Sequence, residues 1–321
     1  MVAQKKSSGI FQRQPIMRNV LISLIPVTLG AVYLYGLRVL VLMAVVTAFG
    51  VLTEYIFTQK RKAKVSEAVL VTCMLFTLSL PVSTPFWVAI VGIIFGVLFA
   101  KEVFGGFGRN VFNPAIVGRT FIFVSFPEYL TNSWSQISTS FPGGFARYMT
   151  PFLDTISEPT PLGLFRDSGE MVPLTNAIIG IIPGSMGEPS VILILLGAAF
   201  LLYKKAADWR LMVSPMIGFL GFTTVLNLMG SPNVPAPFYG MFTGAFIFLC
   251  IYFVTEPTTA PKQKEAKWVY GFMVGIIVVI IRYFGIFPEG ASFALLIMNT
   301  FVPIMDEGVK YLKAQRKQVT T

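Results

Sequence analysis

The stretch VLVLMAVVTAFGVLTEYIF occupies residues 39–57 and carries a single charged side chain, Glu54. The hydrocarbon core of a bilayer is about 30 Å thick and is spanned by about 20 helical residues. Residues 39–57 therefore predict a transmembrane helix. A carboxylate at that depth should face the interior of the protein, where it is paired or functional, and the same argument applies to Arg119 in a later apolar run.

Nine further apolar segments resemble residues 39–57. The ten segments lie at 20–35, 39–57, 66–80, 85–100, 110–126, 190–203, 211–229, 238–254, 268–284 and 291–305. Hydrophobic residues make up 55% of the 321 positions and charged residues 12%, which leaves too little polar surface for a soluble globule. We predict an all-α integral membrane protein, with the shorter segments indicating broken helices or buried loops.

Basic residues fall in every second connection between these segments. Their groups are Lys5, Lys6, Arg13 and Arg18; Lys60, Arg61, Lys62 and Lys64; Lys101 and Arg109; Lys204, Lys205 and Arg210; Lys262, Lys264 and Lys267; Lys310, Lys313, Arg316 and Lys317. The positive-inside rule places these loops and both termini in the cytoplasm, and the acidic connection 127–189 outside. Short groups of this kind indicate membrane topology, not nucleic-acid binding. No removable signal peptide is evident in the first residues.

The charge pattern divides the chain into two sets of five spans. Residues 1–126 form the first set, 127–189 the extracytoplasmic loop, and 190–321 the second set. Because five is odd, the second set must run upside down relative to the first, and we expect an inverted repeat. The tetrapeptide VGII occurs at 91–94 and again at 274–277, which is a faint trace of such a repeat.

Redox and metal chemistry are restricted by residue types that the chain lacks. The sequence contains no histidine, which excludes His-ligated haem and imidazole metal sites. Its two cysteines, Cys73 and Cys250, lie inside apolar runs and are typical of buried core thiols. The alternative is that they supply half of the ligands of an iron–sulfur cluster at a subunit interface.

Three polar stretches could carry chemistry. KEVFGGFGRNVFNPA, residues 101–115, combines glycines with an Asn-Pro helix break, and such breaks either bind ions or cofactors or form re-entrant turns. GSMGEPS, residues 184–190, precedes an apolar run and could cap its helix or hold a polar ligand. DTISEPTPL, residues 154–162, predicts a helix N-cap at Thr160 followed by Pro161. A similar hydroxyl turn ends at Thr258, on the predicted cytoplasmic side.

These motifs, in this order and spacing, are similar to one family over nearly the whole chain from about residue 19. The stretches 104–115 and 184–190, together with KWVYG at 267–271, Arg282, FPEG at 287–290 and LIMN at 296–299, resemble the D subunit of the Rnf electron-transport complex. The B subunit of the Na+-pumping NADH:quinone oxidoreductase shares them. The chain lacks the long N-terminal extension associated with the quinone reductase subunit, so the Rnf member is the expected relative.

The resemblance implies a fold and a covalent cofactor. Members of the family have ten spans in a urea-channel-like inverted repeat. They carry FMN joined through its phosphate to a threonine of an Asp-x-x-Ser/Thr-Gly-Ala-Thr motif on the outer face. Asp154, Ser157 and Thr160 occupy the Asp, first hydroxyl and acceptor positions, while Glu158-Pro159 replaces Gly-Ala. A covalently held flavin stays within reach of neighbouring carriers while the protein positions and tunes it.

The resemblance also implies partners and a location. The expected protein is a multi-pass subunit in a bacterial or archaeal plasma membrane, not catalytic alone, within a ferredoxin:NAD oxidoreductase that exports Na+ or H+. Its implied partners are a flavin-bearing G-type subunit, A- and E-type membrane subunits, a C-type peripheral subunit and an extracytoplasmic flavin transferase. Riboflavin is a second implied cofactor, without an identified site. The alternative function is a small-solute channel or permease of the same fold.

Overall fold

The computed structural model describes residues 10–131, 134, 137–138, 143–148, 160–188, 190–285 and 290–319. The first half contains strand β1 (Phe11–Gln12), helices α1 (Pro15–Tyr35) and α2 (Arg38–Lys60), strand β2 (Val65–Ser66), helices α3 (Ala68–Leu78) and α4 (Phe86–Val97), a π-helical turn (Leu98–Glu102) and helix α5 (Pro114–Ser125). Strands β1 and β2 pair in parallel. The described residues of the three polar stretches lie outside the long helices.

The middle connection contains short elements, and the second half is again helical. The connection includes α6 (Glu128–Thr131), a 3-10 turn (Gly143–Ala146), α7 (Pro161–Ser168) and α8 (Leu174–Ile179). The second half contains α9 (Val191–Tyr203), α10 (Trp209–Leu228), α11 (Pro237–Phe242), α12 (Phe246–Phe248), a second π-helical turn (Leu249–Phe253), α13 (Lys264–Phe284) and α14 (Ala291–Val319). The prediction of an all-α chain therefore agrees with the structure.

Among the described residues, five helices are long and apolar enough to cross a membrane by length and composition. They cover Pro15–Tyr35, Arg38–Lys60, Trp209–Leu228, Lys264–Phe284 and Ala291–Arg316. Three shorter apolar helices are α3, α5 and α9. Many large apolar side chains on the long helices are exposed, including Leu29, Leu52 and Ile217, as expected of surfaces that contact lipid.

The segment predicted as one span at 238–254 is interrupted. α11 ends at Phe242, α12 begins at Phe246, and the connecting Gly244 has a φ of 78°, which an L side chain rarely adopts. Arg282 of α13 donates hydrogen bonds from Nη1 to the carbonyl oxygens of Gly240, at 2.7 Å, and Thr243, at 3.2 Å. A buried guanidinium thus satisfies carbonyl groups that the helix break leaves without intrahelical donors.

In the first half, Arg119 bonds to a free carbonyl group at a helix end in the same way. Arg119 of α5 donates from Nε to the Ser79 carbonyl oxygen just after α3, at 2.8 Å, and from Nη1 to Ser292 Oγ of α14, at 2.7 Å. The expectation that Arg119 faces the interior and is paired is confirmed, since its side chain is buried.

The stretch 184–190 packs against the end of α3. The backbone N–H of Met186 donates to the Leu80 carbonyl and that of Gly187 to the Leu78 carbonyl, at 3.0 and 2.6 Å. Ser190 caps α9 through its hydroxyl, whereas Glu188 Oε2 accepts from the backbone N–H of Ser185 at 3.2 Å. The capping interpretation holds for Ser190, while the carboxylate closes the turn before the helix.

Candidate functional site

Thr160 is the N-cap of helix α7. Its backbone is extended, with φ −64° and ψ 156°, and its Oγ1 accepts a hydrogen bond from the Gly163 backbone N–H at 3.2 Å. Pro161 follows at the first helical position, where its missing N–H has no cost. The predicted cap is therefore confirmed. Its partners in the sequence motif, Asp154 and Ser157, lie outside the described residues, as do Glu158 and Pro159.

The two hydroxyl turns of the sequence differ in how their threonines are bonded. Thr258 Oγ1 donates to Glu256 Oε1 at 2.8 Å and accepts from Asn110 Nδ2 at 3.1 Å. Thr160 Oγ1 accepts from the Gly163 backbone N–H, and its side chain is partly exposed. The Thr160 hydroxyl is therefore the one whose proton is not engaged with a carboxylate among the described residues.

A cavity of about 490 Å³ opens beside helix α7. Its walls include Leu162, Phe165 and Arg166 of α7 and Asn233, Arg282 and Tyr283 of the second half. The volume lies within the range typical of sites for small organic ligands, about 300–1,000 Å³. The chain thus has a ligand-sized space within a few residues of the Thr160 hydroxyl.

Leu162 and Arg282 converge on the break between α11 and α12. A Cβ placed on Gly244 would lie 2.6 Å from Leu162 Cδ1, 3.2 Å from Arg282 Nη2 and 3.6 Å from Glu188 Oε1. The start of α7 is therefore packed against the broken helix and the last turn of α13. Sequence reasoning missed this arrangement, although the Gly at position 244 inside an apolar run is a signal for a helix break.

A second polar cluster surrounds the first π-helical turn. Lys101 Nζ donates to Glu54 Oε2 and to Ser66 Oγ, each at 2.7 Å, while Glu54 Oε1 accepts from the backbone N–H of Ser66 at 2.9 Å. The pairing expected for Glu54 is confirmed. Lys101, which the sequence places in a predicted cytoplasmic connection, has a side chain that is only 2% exposed, because Glu54 requires a buried counter-ion.

Neighbouring groups of this cluster are also buried. Glu102 forms an ion pair with Arg61 through Oε2, and its Oε1 has no hydrogen-bond partner in the described part of the chain. The described residues include no group of three or more His, Cys, Asp or Glu side chains that could hold a metal ion. Cys73 and Cys250 are both free thiols and buried, in agreement with the core interpretation.

Comparison of the sequence with known proteins shows which family the chain belongs to. The model of the NQR2, RnfD, RnfE family matches residues 9–314. The chain belongs to this family. It is 35% identical over 298 residues to the B subunit of the Na(+)-translocating NADH-quinone reductase of Klebsiella pneumoniae (strain 342), covering 91% of this chain and 70% of that protein.

Two further relatives are the B subunits of the same type of reductase in other bacteria. The protein of Ectopseudomonas mendocina (strain ymp) is 36% identical over 281 residues, covering 85% of this chain and 67% of the relative. That of Pseudoalteromonas atlantica (strain T6c / ATCC BAA-1087) is 36% identical over 295 residues, covering 89% and 70%. The apolar helices and the family membership together identify the chain as an integral membrane protein related to subunits of a redox-driven ion translocase.

Proposed function

We propose that the chain is a membrane subunit of an ion-translocating electron-transport complex and that it relays electrons through FMN esterified to Thr160. The observation that carries this proposal is the partly exposed N-cap hydroxyl of Thr160 beside a cavity of ligand size, in a chain of the NQR2, RnfD, RnfE family. Asp154 and Ser157 complete the attachment motif by resemblance.

The residues at this position fit a phosphodiester. The start of α7 presents the Gly163 backbone N–H to the Thr160 side chain, and a helix N-terminus favours a negatively charged phosphate. In the attachment reaction, Thr160 Oγ1 bonds to the phosphorus of the FMN group. The phosphoanhydride bond of an activated donor such as a flavin dinucleotide breaks, and the hydroxyl proton neutralises the leaving phosphate. The bound flavin would supply one- and two-electron chemistry.

We further propose that ten membrane segments form an inverted five-helix repeat, with both termini cytoplasmic and residues 127–189 outside. The packing order supports the repeat. In the first half α2 contacts α4 and α4 contacts α5, and in the second half α10 contacts α13 and α13 contacts α14. α1 packs against α9, the first helix of the other half. The helices that the proposed repeat makes equivalent, α2, α4 and α5 in one half and α10, α13 and α14 in the other, thus have the same order of contacts.

Within the family, we assign the chain to the Rnf type, in which electrons pass between reduced ferredoxin and NAD. Two one-electron-reduced ferredoxins are oxidised in that reaction while one NAD+ takes up two electrons and a proton. Motif resemblance alone supports this assignment, since the relatives compared with the chain are named as quinone reductase subunits. The partners would be the other membrane and peripheral subunits and an extracytoplasmic flavin transferase.

The choice between the two complex types has a direct test. Membranes from cells that lack this subunit should lose ferredoxin-dependent NAD+ reduction and keep NADH-dependent quinone reduction. The opposite pattern would assign the chain to the quinone reductase type and leave its role as a redox subunit intact.

Covalent attachment is tested with the full chain co-expressed with a flavin transferase. After denaturing electrophoresis the wild-type band should fluoresce as flavin, Thr160→Val should be dark, and Thr258→Val should remain fluorescent as the matched control. A dark wild-type band would refute the flavin role. Solute flux through liposomes that contain this chain alone would then favour the channel alternative.

A further inference from the structure

The cavity beside α7 contains polar groups that the described part of the chain leaves without partners. Arg282 is 4% exposed, and its Nε has no hydrogen-bond partner among the described residues. The Tyr283 hydroxyl, which lies against Gly240, also lacks a hydrogen-bond partner of ordinary geometry there. Both residues line the cavity. Buried donors of this kind have a large desolvation cost, so a polar ligand group that reached them from the cavity would be bound favourably.

Arg282 is held rigidly enough to act as a fixed charge. Nη1 bonds to the Gly240 and Thr243 carbonyls, and the guanidinium lies over the Phe219 ring, 5.7 Å from its centroid. These contacts fix the plane of the group while they leave the Nε edge unbonded. The side chain thus holds its positive charge and an N–H donor in fixed positions at the cavity wall.

The remaining walls suit a flat aromatic ligand. Phe165 of α7 contributes an aromatic wall, and its ring centroid lies 6.3 Å from that of Tyr239. Leu162, two residues after Thr160, forms another part of the wall and reaches the neighbourhood of Arg282. A group tethered at Thr160 would therefore start two residues before a wall residue of a cavity that is also lined by Arg282 and Tyr283.

We propose that this cavity receives the isoalloxazine ring of the flavin on Thr160 and that Arg282 contacts the N1–C2 carbonyl edge of the ring. This inference rests on the proposed covalent flavin. Two-electron reduction places negative charge on that edge, and a nearby positive charge stabilises the reduced form. Arg282 would then raise the midpoint potential of the flavin and, with Tyr283, fix the orientation of the ring.

The test uses the flavinylated full-length chain and two readouts. The fluorescent band on a denaturing gel reports attachment, and a spectroelectrochemical titration reports the midpoint potential. Arg282→Gln should keep the fluorescent band and lower the potential by at least about 30 mV, which is a tenfold loss in preference for the reduced form of a two-electron couple. Arg147→Gln removes a positive charge from an exposed loop site outside the cavity and should leave the potential unchanged.

Two further variants keep the proposal falsifiable if Arg282→Gln does not fold. Asn233 is exposed at the cavity wall, so Asn233→Asp adds a negative charge without a folding cost and should also lower the potential. Tyr283→Phe removes the hydroxyl and should speed the decay of fluorescence polarisation of the native flavin, because the ring is held less firmly.

The outcomes separate this inference from the proposed function. A fluorescent band with an unchanged potential in both Arg282→Gln and Asn233→Asp would overturn the cavity assignment and leave covalent attachment standing. The same result is expected if Arg282 contacts only the phosphate. A dark wild-type band would overturn both proposals.

Discussion

Lys101 Nζ lies 2.7 Å from Glu54 Oε2, and each side chain is 2% exposed. The ion pair joins α2 to the π-helical turn that follows α4, and Ser66 Oγ bonds to both partners. Lys101 and Glu102 lie in the π-helical turn, and both are buried. Such turns often mark functional positions in helices. The ion pair therefore holds the π-helical turn, which begins the predicted cytoplasmic connection, against α2 in the interior of the first half.

Removing one member of this pair should destabilise the protein strongly. Glu54→Gln or Lys101→Met leaves an uncompensated buried charge, and each should lower the free energy of unfolding by about 3–5 kcal/mol. The double variant should lose less than the sum of the two single losses, because neither charge is then unpaired. Thermal unfolding in detergent measures all three. Lys60→Met, at an exposed lysine of α2, is the control. Additive losses would contradict the pairing.

Gly218 sets the close approach of α10 and α13. A Cβ at this position would lie 2.1 Å from the Phe272 carbonyl oxygen, which is backbone and cannot move aside. Gly218→Ala should therefore destabilise by about 1–3 kcal/mol through overpacking. Gly221 lies in the same helix, and a Cβ added there would have nothing within 4 Å, so Gly221→Ala should be neutral or stabilising. Equal melting temperatures for the two variants would refute this packing.

Asp208 gives the stability a defined pH dependence. Burial raises the pKa of its carboxyl, but hydrogen bonds from Lys267 Nζ, at 2.8 Å, and the Arg210 backbone N–H, at 3.0 Å, outweigh this and hold the pKa below its usual value. Because the folded-state pKa is depressed, the stabilisation is present above the ordinary Asp pKa of about 3.9 and is lost as the pH falls through the folded value.

Asp208→Asn keeps the oxygen that caps α10 and removes the charge. At pH 7 the free energy of unfolding of the variant should be lower than that of the wild type by about 0.5–1 kcal/mol, because the ion pair is partly exposed. The difference should persist down to about pH 5 and shrink below about pH 4. Unfolding in detergent across this range measures it. A difference that grows on acidification would show that the carboxylate does not stabilise the fold.

The sequence indicated the helical class and the approximate positions of the helices, because a helix in lipid must be apolar over its length. It did not indicate the break at residues 243–245, since Gly244 is the only local signal and the flanking residues are as apolar as a continuous span. Burial of Lys101 also escaped a charge count, because its partner Glu54 is 47 residues away in the chain.

The candidate site was predictable only in part. Thr160 follows from local capping rules and from resemblance, and both depend on a few adjacent residues. The cavity depends on α7 meeting α13 and the α11–α12 break, and these contacts join residues more than 60 positions apart. The proximity of Arg282 to the start of α7 therefore depends on long-range packing, which sequence periodicity does not predict.

The measurement that tests the flavin assignment most directly is peptide mass spectrometry of the full-length chain co-expressed with a flavin transferase. The peptide that contains Thr160 should carry the mass of FMN less one water, with fragmentation placing the addition on Thr160 and the peptide that contains Thr258 unmodified. An unmodified Thr160 peptide from protein that was exposed to an active transferase would contradict the assignment.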